Sequence, residues 1–310
     1  MQYKRKIYSI VLKLGETLAE TGIGKFPGMR PIYDYLLQSF WMGDKVIEIE
    51  GSKMYVDFIE EDPVIQKTLQ AYITTQHWDE ATTKIFKQSI NEGDTILDLG
   101  ANIGYYSLLA SQLIGKTGKV FAFEPEPRNF KILQKNIDLN NYNNIHAFQK
   151  AVSDENTSLT LYISEKDSGA HTIRPTKVER EFENEVKVEV VRLDDFLKDK
   201  TEKIDIVKMD IEGSEPKALA GMKKYIQESN NIKIFMEFYP DILKDAGFSP
   251  KEFAQSLFDE YGFSVTLIDD YWKRKEIKPV YSAEDIIDSM KEQKIVNLLL
   301  EKKKMRLKNS

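Results

Sequence analysis

The sequence predicts an α/β fold, a mostly parallel sheet covered by helices on both faces and preceded by a helical and hairpin segment. Three observations carry that prediction. From Thr95 onward, apolar runs of strand length alternate with amphipathic stretches of helix length, the pattern of a doubly covered parallel sheet. The first of these strands runs straight into the turn Asp98-Leu-Gly-Ala-Asn-Ile-Gly104, which opens a helix. The second ends in Glu124, about 20 residues on, where Rossmann-like folds place an acid at the edge of their ligand crevice.

Residues 1–77 form an accessory segment. Roughly its first 40 residues read as one or two amphipathic helices, interrupted around 22–28 and at Pro31. Ile7, Ile10, Val11, Leu14 and Leu18 recur there at helical spacing. Residues 45–58 alternate apolar and polar side chains around Gly51-Ser52, which predicts a β-hairpin. The main domain spans residues 78–302. A helix over 80–90 leads to a strand over 95–99, a helix over 105–113, a strand over 119–123, a helix over 128–140 and a third strand over 145–152. An insertion then breaks the rhythm, with extra strands over 158–163 and 186–192 flanking a polar stretch at 164–184. A polar loop of that length in a compact domain is usually functional. Strands over 204–209 and 232–238 bracket a helix over 216–228. A helix over 250–261, a strand over 264–269, a helix over 283–291 and a strand over 295–300 complete the domain. Residues 303–310 are a basic tail expected to fray.

Composition narrows the chemistry. There is no cysteine, which removes disulfides, thiolate nucleophiles and zinc–thiolate sites. With only His77, His146 and His171, a histidine-rich metal site is not expected either. The formal net charge of −6 gives no global reason to expect nucleic acid as a partner. No stretch approaches the roughly 20 apolar residues that span a bilayer. Lys13 interrupts the apolar run after Lys4-Arg5-Lys6, and no small-residue cleavage site follows. The expectation is a cytoplasmic protein. Both ends are nevertheless basic, and a basic amphipathic helix can lie on an anionic membrane surface. Glu16 and Glu20 dilute the charge of the first helix, so packing of its apolar stripe on the main domain is preferred over the membrane.

The turn at 98–104 carries the cofactor assignment. A dinucleotide fingerprint would need glycine where Asn102 stands, and a phosphate loop would need Gly-Lys-Ser/Thr. S-adenosylmethionine (SAM) has no phosphate. It needs a carboxylate near its ammonium and open backbone around the methionine part, which Asp98, Gly100 and Gly104 provide, with Asn102 between the glycines. Glu124 stands where an acid accepts hydrogen bonds from ribose hydroxyls.

The chain resembles the FkbM family of SAM-dependent class I methyltransferases from about Trp78 to Lys302. The similarity rests on Gly93-Asp-Thr-Ile-Leu-Asp-Leu-Gly-Ala-Asn-Ile-Gly-Tyr-Tyr-Ser107, Phe123-Glu-Pro-Glu-Pro127, Ala151-Val-Ser-Asp154, Lys208-Met-Asp-Ile-Glu-Gly-Ser-Glu215 and Met236-Glu-Phe-Tyr-Pro240. The resemblance implies methyl transfer, usually to oxygen, with sugars and polyketide-like products among the acceptors. It also implies a seven-stranded sheet whose last strand runs antiparallel, and it adds Asp154 to the cofactor set. Tyr239 departs from the family, many members of which carry histidine before the proline.

Methyl transfer to a hydroxyl calls for positioning and for a base. Asp210, Glu212 and Glu237 follow the fourth and fifth strands at their carboxyl ends, where this fold type binds its ligands. Lys208 and Asp210 read either as site residues or as an ion pair on the rim. Glu212 reads either as a site residue or as a cap for the next helix. Asp210 and Glu237 could instead hold a magnesium ion, though two carboxylates are too common to make a metal signature, and none is assigned. His171, in the inserted loop, has a side chain suited to taking a proton near neutrality and is the leading base candidate. The expected activity is O-methylation of a small molecule or glycan. N-methylation is the second reading, weakened for nucleobases because Asp210-Ile-Glu-Gly replaces the usual Asn/Asp-Pro-Pro-aromatic motif. A SAM-binding scaffold without turnover is the third.

Overall fold

The computed structural model describes residues 46–55, 79–164, 182–270, 276–291 and 294–302. The chain divides into two units between Trp78 and Asp79. In the first, Val46–Ile49 (β1) and Ser52–Tyr55 (β2) pair antiparallel with Ile49 opposite Ser52. Glu50 and Gly51 between them both lie at positive φ, the two-residue turn whose twist suits a hairpin. The hairpin expected from the alternation is present. The helices expected in the first 40 or so residues, and the basic tail at 303–310, lie outside the described residues.

The second unit opens with Glu80–Ser89 (α1), which buries Thr82, Thr83 and Phe86 on one face. The Phe86 ring meets Tyr106 and Phe235 edge-on, at centroid distances of 5.1 and 5.3 Å, so α1 is held by aromatic packing. Thr95–Leu99 (β3), Tyr105–Leu113 (α2), Lys119–Phe123 (β4), Pro127–Asn140 (α3) and Ile145–Phe148 (β5) follow. Every residue of β3 is buried, as a strand with helices on both faces requires.

The third strand is shorter than expected. Lys150 N–H turns back to the Phe148 carbonyl at 2.9 Å, and the chain leaves the main sheet. Ala151–Ser153 (β6) joins Thr157–Ser164 (β7) and Phe182–Arg192 (β8) in a separate three-stranded sheet. Apolar residues on both sides of Gln149-Lys150 had merged two strands into one apparent run. Leu193–Phe196 (α4) then leads to Ile206–Met209 (β9). The single helix expected over 216–228 is two, Glu215–Gly221 (α5) and Lys223–Glu228 (α6). They part at Met222, whose N–H is shared between the Ala218 and Leu219 carbonyls. Lys233–Phe238 (β10), Pro240–Asp245 (α7), Pro250–Asp259 (α8), Phe263–Ile268 (β11), Ile277–Val280 (β12), Ala283–Ser289 (α9) and Val296–Lys302 (β13) complete the unit.

The main sheet has eight strands in the order β12-β11-β13-β10-β9-β3-β4-β5. The five from β10 to β5 run parallel, and β13 lies antiparallel between β10 and β11. Seven strands were expected; β12 is the eighth. Its segment Ile-Lys-Pro-Val carries a proline that cannot donate to a ladder, so it reads poorly as a strand and is tolerated only at an edge. The core is continuous, from Leu97 and Phe121 through Val207 and Met236 to Leu298. Among the described residues no helix is long and apolar enough to cross a membrane. β3, β4, β9 and β10 end at one edge of the sheet, and the turns that follow them meet there.

Candidate active site

Asp98 is the penultimate residue of β3, opposite Ala122 on one side and Lys208 on the other. Its carboxylate is buried and accepts a hydrogen bond from Ser107 Oγ at 2.5 Å. Burial pushes its pKa up to about 6, opposed by the Ser107 bond and the Lys208 ammonium. The backbone then passes through positive φ at Gly100 (79°), Asn102 (48°) and Gly104 (101°) before α2 begins. A Cβ on Gly100 would stand 1.8 Å from the Asp210 carbonyl oxygen. That glycine is therefore demanded by the chain crossing after β9 as well as by its own φ.

Glu124 follows β4 and is 5% exposed. Its Oε2 accepts from Asn102 N–H at 2.7 Å and its Oε1 from Glu126 N–H at 3.0 Å. Burial nonetheless pushes its pKa up to about 8. A carboxylate has about four acceptor positions, so two backbone bonds leave room for the hydroxyls of a ribose. The turn itself carries no basic residue to meet a phosphate. Those features fit SAM: Asp98, Gly100, Asn102, Gly104 and Glu124 share one turn and its flank.

A second cluster adjoins the first. Lys208 in β9 is 2% exposed, with its Nζ 3.4 Å from Asp210 Oδ2 and 5.1 Å from the Tyr106 ring centroid. The ion pair considered from sequence forms, but its Lys208 end is buried and only its Asp210 end reaches solvent. Burial alone would lower the lysine's pKa. Asp210, Asp79, Glu237 and Asp98 outweigh it and hold the ammonium above its usual range. One buried cation thus faces four carboxyl groups, and a charge so placed persists only with such partners. Glu237, on β10, is driven well above the usual carboxylate range by burial and by the charges of Asp210 and Glu212, against Lys208. Asp79 reaches about 7, through burial first, with Lys208 opposing and Asp270 and Asp210 adding to the rise. Tyr106 Oη donates to Asp79 Oδ2 at 3.3 Å. Among the described residues no group of three or more histidine, aspartate or glutamate side chains could hold a metal ion.

Three further residues were singled out in the sequence. Glu212 sits at φ 50°, and the N-cap residue of α5 is Ser214. Glu215 ties down that turn instead, its Oε1 accepting from the Ile211 and Gly213 N–H groups at 3.2 and 3.3 Å. Asp154 is exposed and bonded to Ser153 Oγ at 2.9 Å and Lys217 Nζ at 3.4 Å, neither of them a member of the two clusters. His171 lies outside the described residues. Tyr106 was not singled out as a site residue, and Asp79 stood out only with His77 and Trp78, a stretch before the core helix that could close the cofactor cleft. Tyr106 looked like part of an apolar helical run, and nothing local marked Asp79 as a member of the charged cluster.

The parallel sheet, its antiparallel β13 and the turn at 98–104 define a SAM-dependent methyltransferase of class I. The methyltransferase FkbM domain matches residues 98–265, and the chain belongs to that family. It is 26% identical over 202 residues to "Methyltransferase 1" of Beauveria bassiana, covering 59% of this chain and 77% of the relative. It is 30% identical over 150 residues to 2-O-methyltransferase NoeI of Sinorhizobium fredii, covering 44% and 60%. It is 24% identical over 176 residues to hexuronic acid methyltransferase AglP of Haloferax volcanii, covering 56% and 65%. Its substrates are therefore SAM and a methyl acceptor.

Proposed function

We propose that this protein methylates a hydroxyl group of a saccharide or a similarly hydroxylated small molecule. The observation that carries the proposal is the carboxyl-rich cluster around Lys208, which reaches solvent at Asp210 beside the cofactor turn. Carboxylates in a cleft suit an acceptor rich in hydroxyl donors. Two of the relatives are named for transfer to a 2-O position and to a hexuronic acid, which supports the same class.

SAM supplies an electrophilic methyl group when bound. Glu124 accepts hydrogen bonds from its ribose, Asp98 meets the charged end of its methionine part, and the backbone of 100–104 lies alongside; Asp154 contributes a contact at the rim. Asp210 and Glu212 accept from the hydroxyls of the acceptor. Glu237, whose carboxyl is held well above the usual carboxylate range by burial first and by Asp210 and Glu212 next, lines the acceptor side with them. Positioning of this kind supplies much of the rate in a displacement between two bound reactants.

The test is incubation with methyl-labelled SAM and a panel of methyl fucoside, methyl rhamnoside, glucuronic acid and galacturonic acid. Label in an O-methyl group of one of them supports the reading. Label recovered only on nitrogen, from these or from a cell extract, contradicts it.

A further inference from the structure

Asp79 is the N-cap residue of α1, yet its side chain makes no capping bond. An N-cap carboxylate ordinarily accepts from the N–H groups two and three residues on, here Ala81 and Thr82. Both are already taken. Asp270, just after β11, accepts from Ala81 N–H with Oδ1 at 2.6 Å and from Thr82 N–H with Oδ2 at 3.2 Å. Its Oδ2 also accepts from Thr82 Oγ1 at 2.5 Å and from Asn297 Nδ2 at 3.4 Å. A residue 189 positions away therefore caps the helix, and the carboxylate that would have done so is left for other work.

That carboxylate turns into the cluster. It accepts from Tyr106 Oη, whose own oxygen lies 3.4 Å from Thr83 Oγ1, and it faces Lys208 and Asp210. The charged and titratable groups around it are Lys208 and Asp210 from β9 and its following turn, Tyr106 from α2, and Asp270 from beyond β11. We propose that Asp79 is the catalytic base that takes the acceptor's proton, and that Asp270 is the positioning residue that keeps it free to do so. The assignment rests on the hydroxyl acceptor proposed above. The acceptor oxygen's electron pair forms the new O–C bond while the S–C pair leaves with the sulfur. The hydroxyl proton passes to Asp79 and then to solvent. Its pKa of about 7 suits a base that must accept and release a proton near neutrality. Lys208 moderates that basicity and keeps the carboxylate charged once the acceptor is bound.

The experiment uses Asp79→Asn, Asp270→Ala and Asp270→Asn in the full chain, with two readouts. The first needs neither SAM nor acceptor: infrared titration of the carboxyl band. Glu215 and Asp79 should both titrate near pH 7 in the wild type, and Asp79→Asn should lose one of the two. In Asp270→Ala the Asp79 midpoint should fall toward an ordinary aspartate value, because Asp79 swings back to cap α1. Asp270→Asn, which can still cap but lacks the charge that adds to the rise, should bring it part of the way back. The second readout is methyl transfer to the pyranoside panel. Asp79→Asn should lose about 100-fold in rate or more and the acidic limb of its pH profile, with SAM affinity within a few-fold of wild type. The same carboxyl titration near pH 7 in the wild type and in Asp79→Asn, or an unchanged pH profile in Asp79→Asn, overturns the assignment. A larger loss in His171→Ala also overturns it and moves the proton transfer to the inserted loop. Failure of the hydroxyl reading shows separately, as wild-type label on nitrogen.

Discussion

The two halves proposed for the carboxyl edge, one for the cofactor and one for the acceptor, are built by different means. The cofactor half is local: Asp98, Asn102, Ser107 and Glu124 lie within 26 residues of one another, and their bonds run between adjacent turns. The acceptor half is assembled from Asp79, Tyr106, Lys208, Asp210, Glu237 and Asp270, which come from five separate stretches of chain. Local construction makes the first half a motif. Long-range construction leaves the second without a motif of its own.

The largest effect should come from removing the one cation of the acceptor half. Lys208→Met leaves Asp79, Asp98, Asp210 and Glu237 without their shared counter-charge. Breaking a buried pair in this way costs about 3–5 kcal/mol. The loss should be greater at pH 8 than at pH 5, since at low pH the carboxyl groups take up protons and no longer need the lysine. Equal losses at both values, read by chemical denaturation, would mean the cluster is not electrostatically coupled.

A smaller effect concerns both halves together. Asp98, Asp79, Glu215 and Glu124 have folded-state pKa values of about 6, 7, 7 and 8, all raised by burial. The folded state therefore binds protons that the unfolded chain releases, and stability falls as pH rises through the interval from about 4 to 8. The unliganded protein should melt at a lower temperature at pH 8 than at pH 5.5. A rise over the same interval would show these acids to be stabilised as carboxylates.

The smallest effect is expected at Asp154. Its pairing with Lys217 is solvent-exposed, and such pairs contribute about 0–1 kcal/mol. Asp154→Ala should leave the melting temperature nearly unchanged and weaken SAM only a few-fold. A loss as large as that of a Glu124 variant would bring Asp154 into the cofactor half.

The same division explains what the sequence revealed. The turn, Glu124 and the alternating strands were legible because each is encoded within one strand–turn–helix unit. β12 was not, since Pro279 contradicts a strand until an edge position is known. The break between β5 and β6 was hidden by continuous apolar pattern. Lys208 read equally as a site residue or as a rim partner for Asp210, because burial of a lysine depends on carboxylates contributed by distant segments. Asp79 was hidden for the same reason: its capping partners are taken by Asp270, and no local pattern reports that.

Calorimetric titration of SAM into the wild type, Glu124→Ala and Asp210→Asn tests most directly whether the halves are separate. Glu124→Ala should weaken SAM by roughly 10- to 100-fold, the scale of a lost charged hydrogen-bond acceptor. Asp210→Asn should bind SAM within a few-fold of wild type while methyl transfer to the pyranoside panel falls. SAM affinity unchanged in Glu124→Ala, or lost in Asp210→Asn as severely as in Glu124→Ala, would contradict the division.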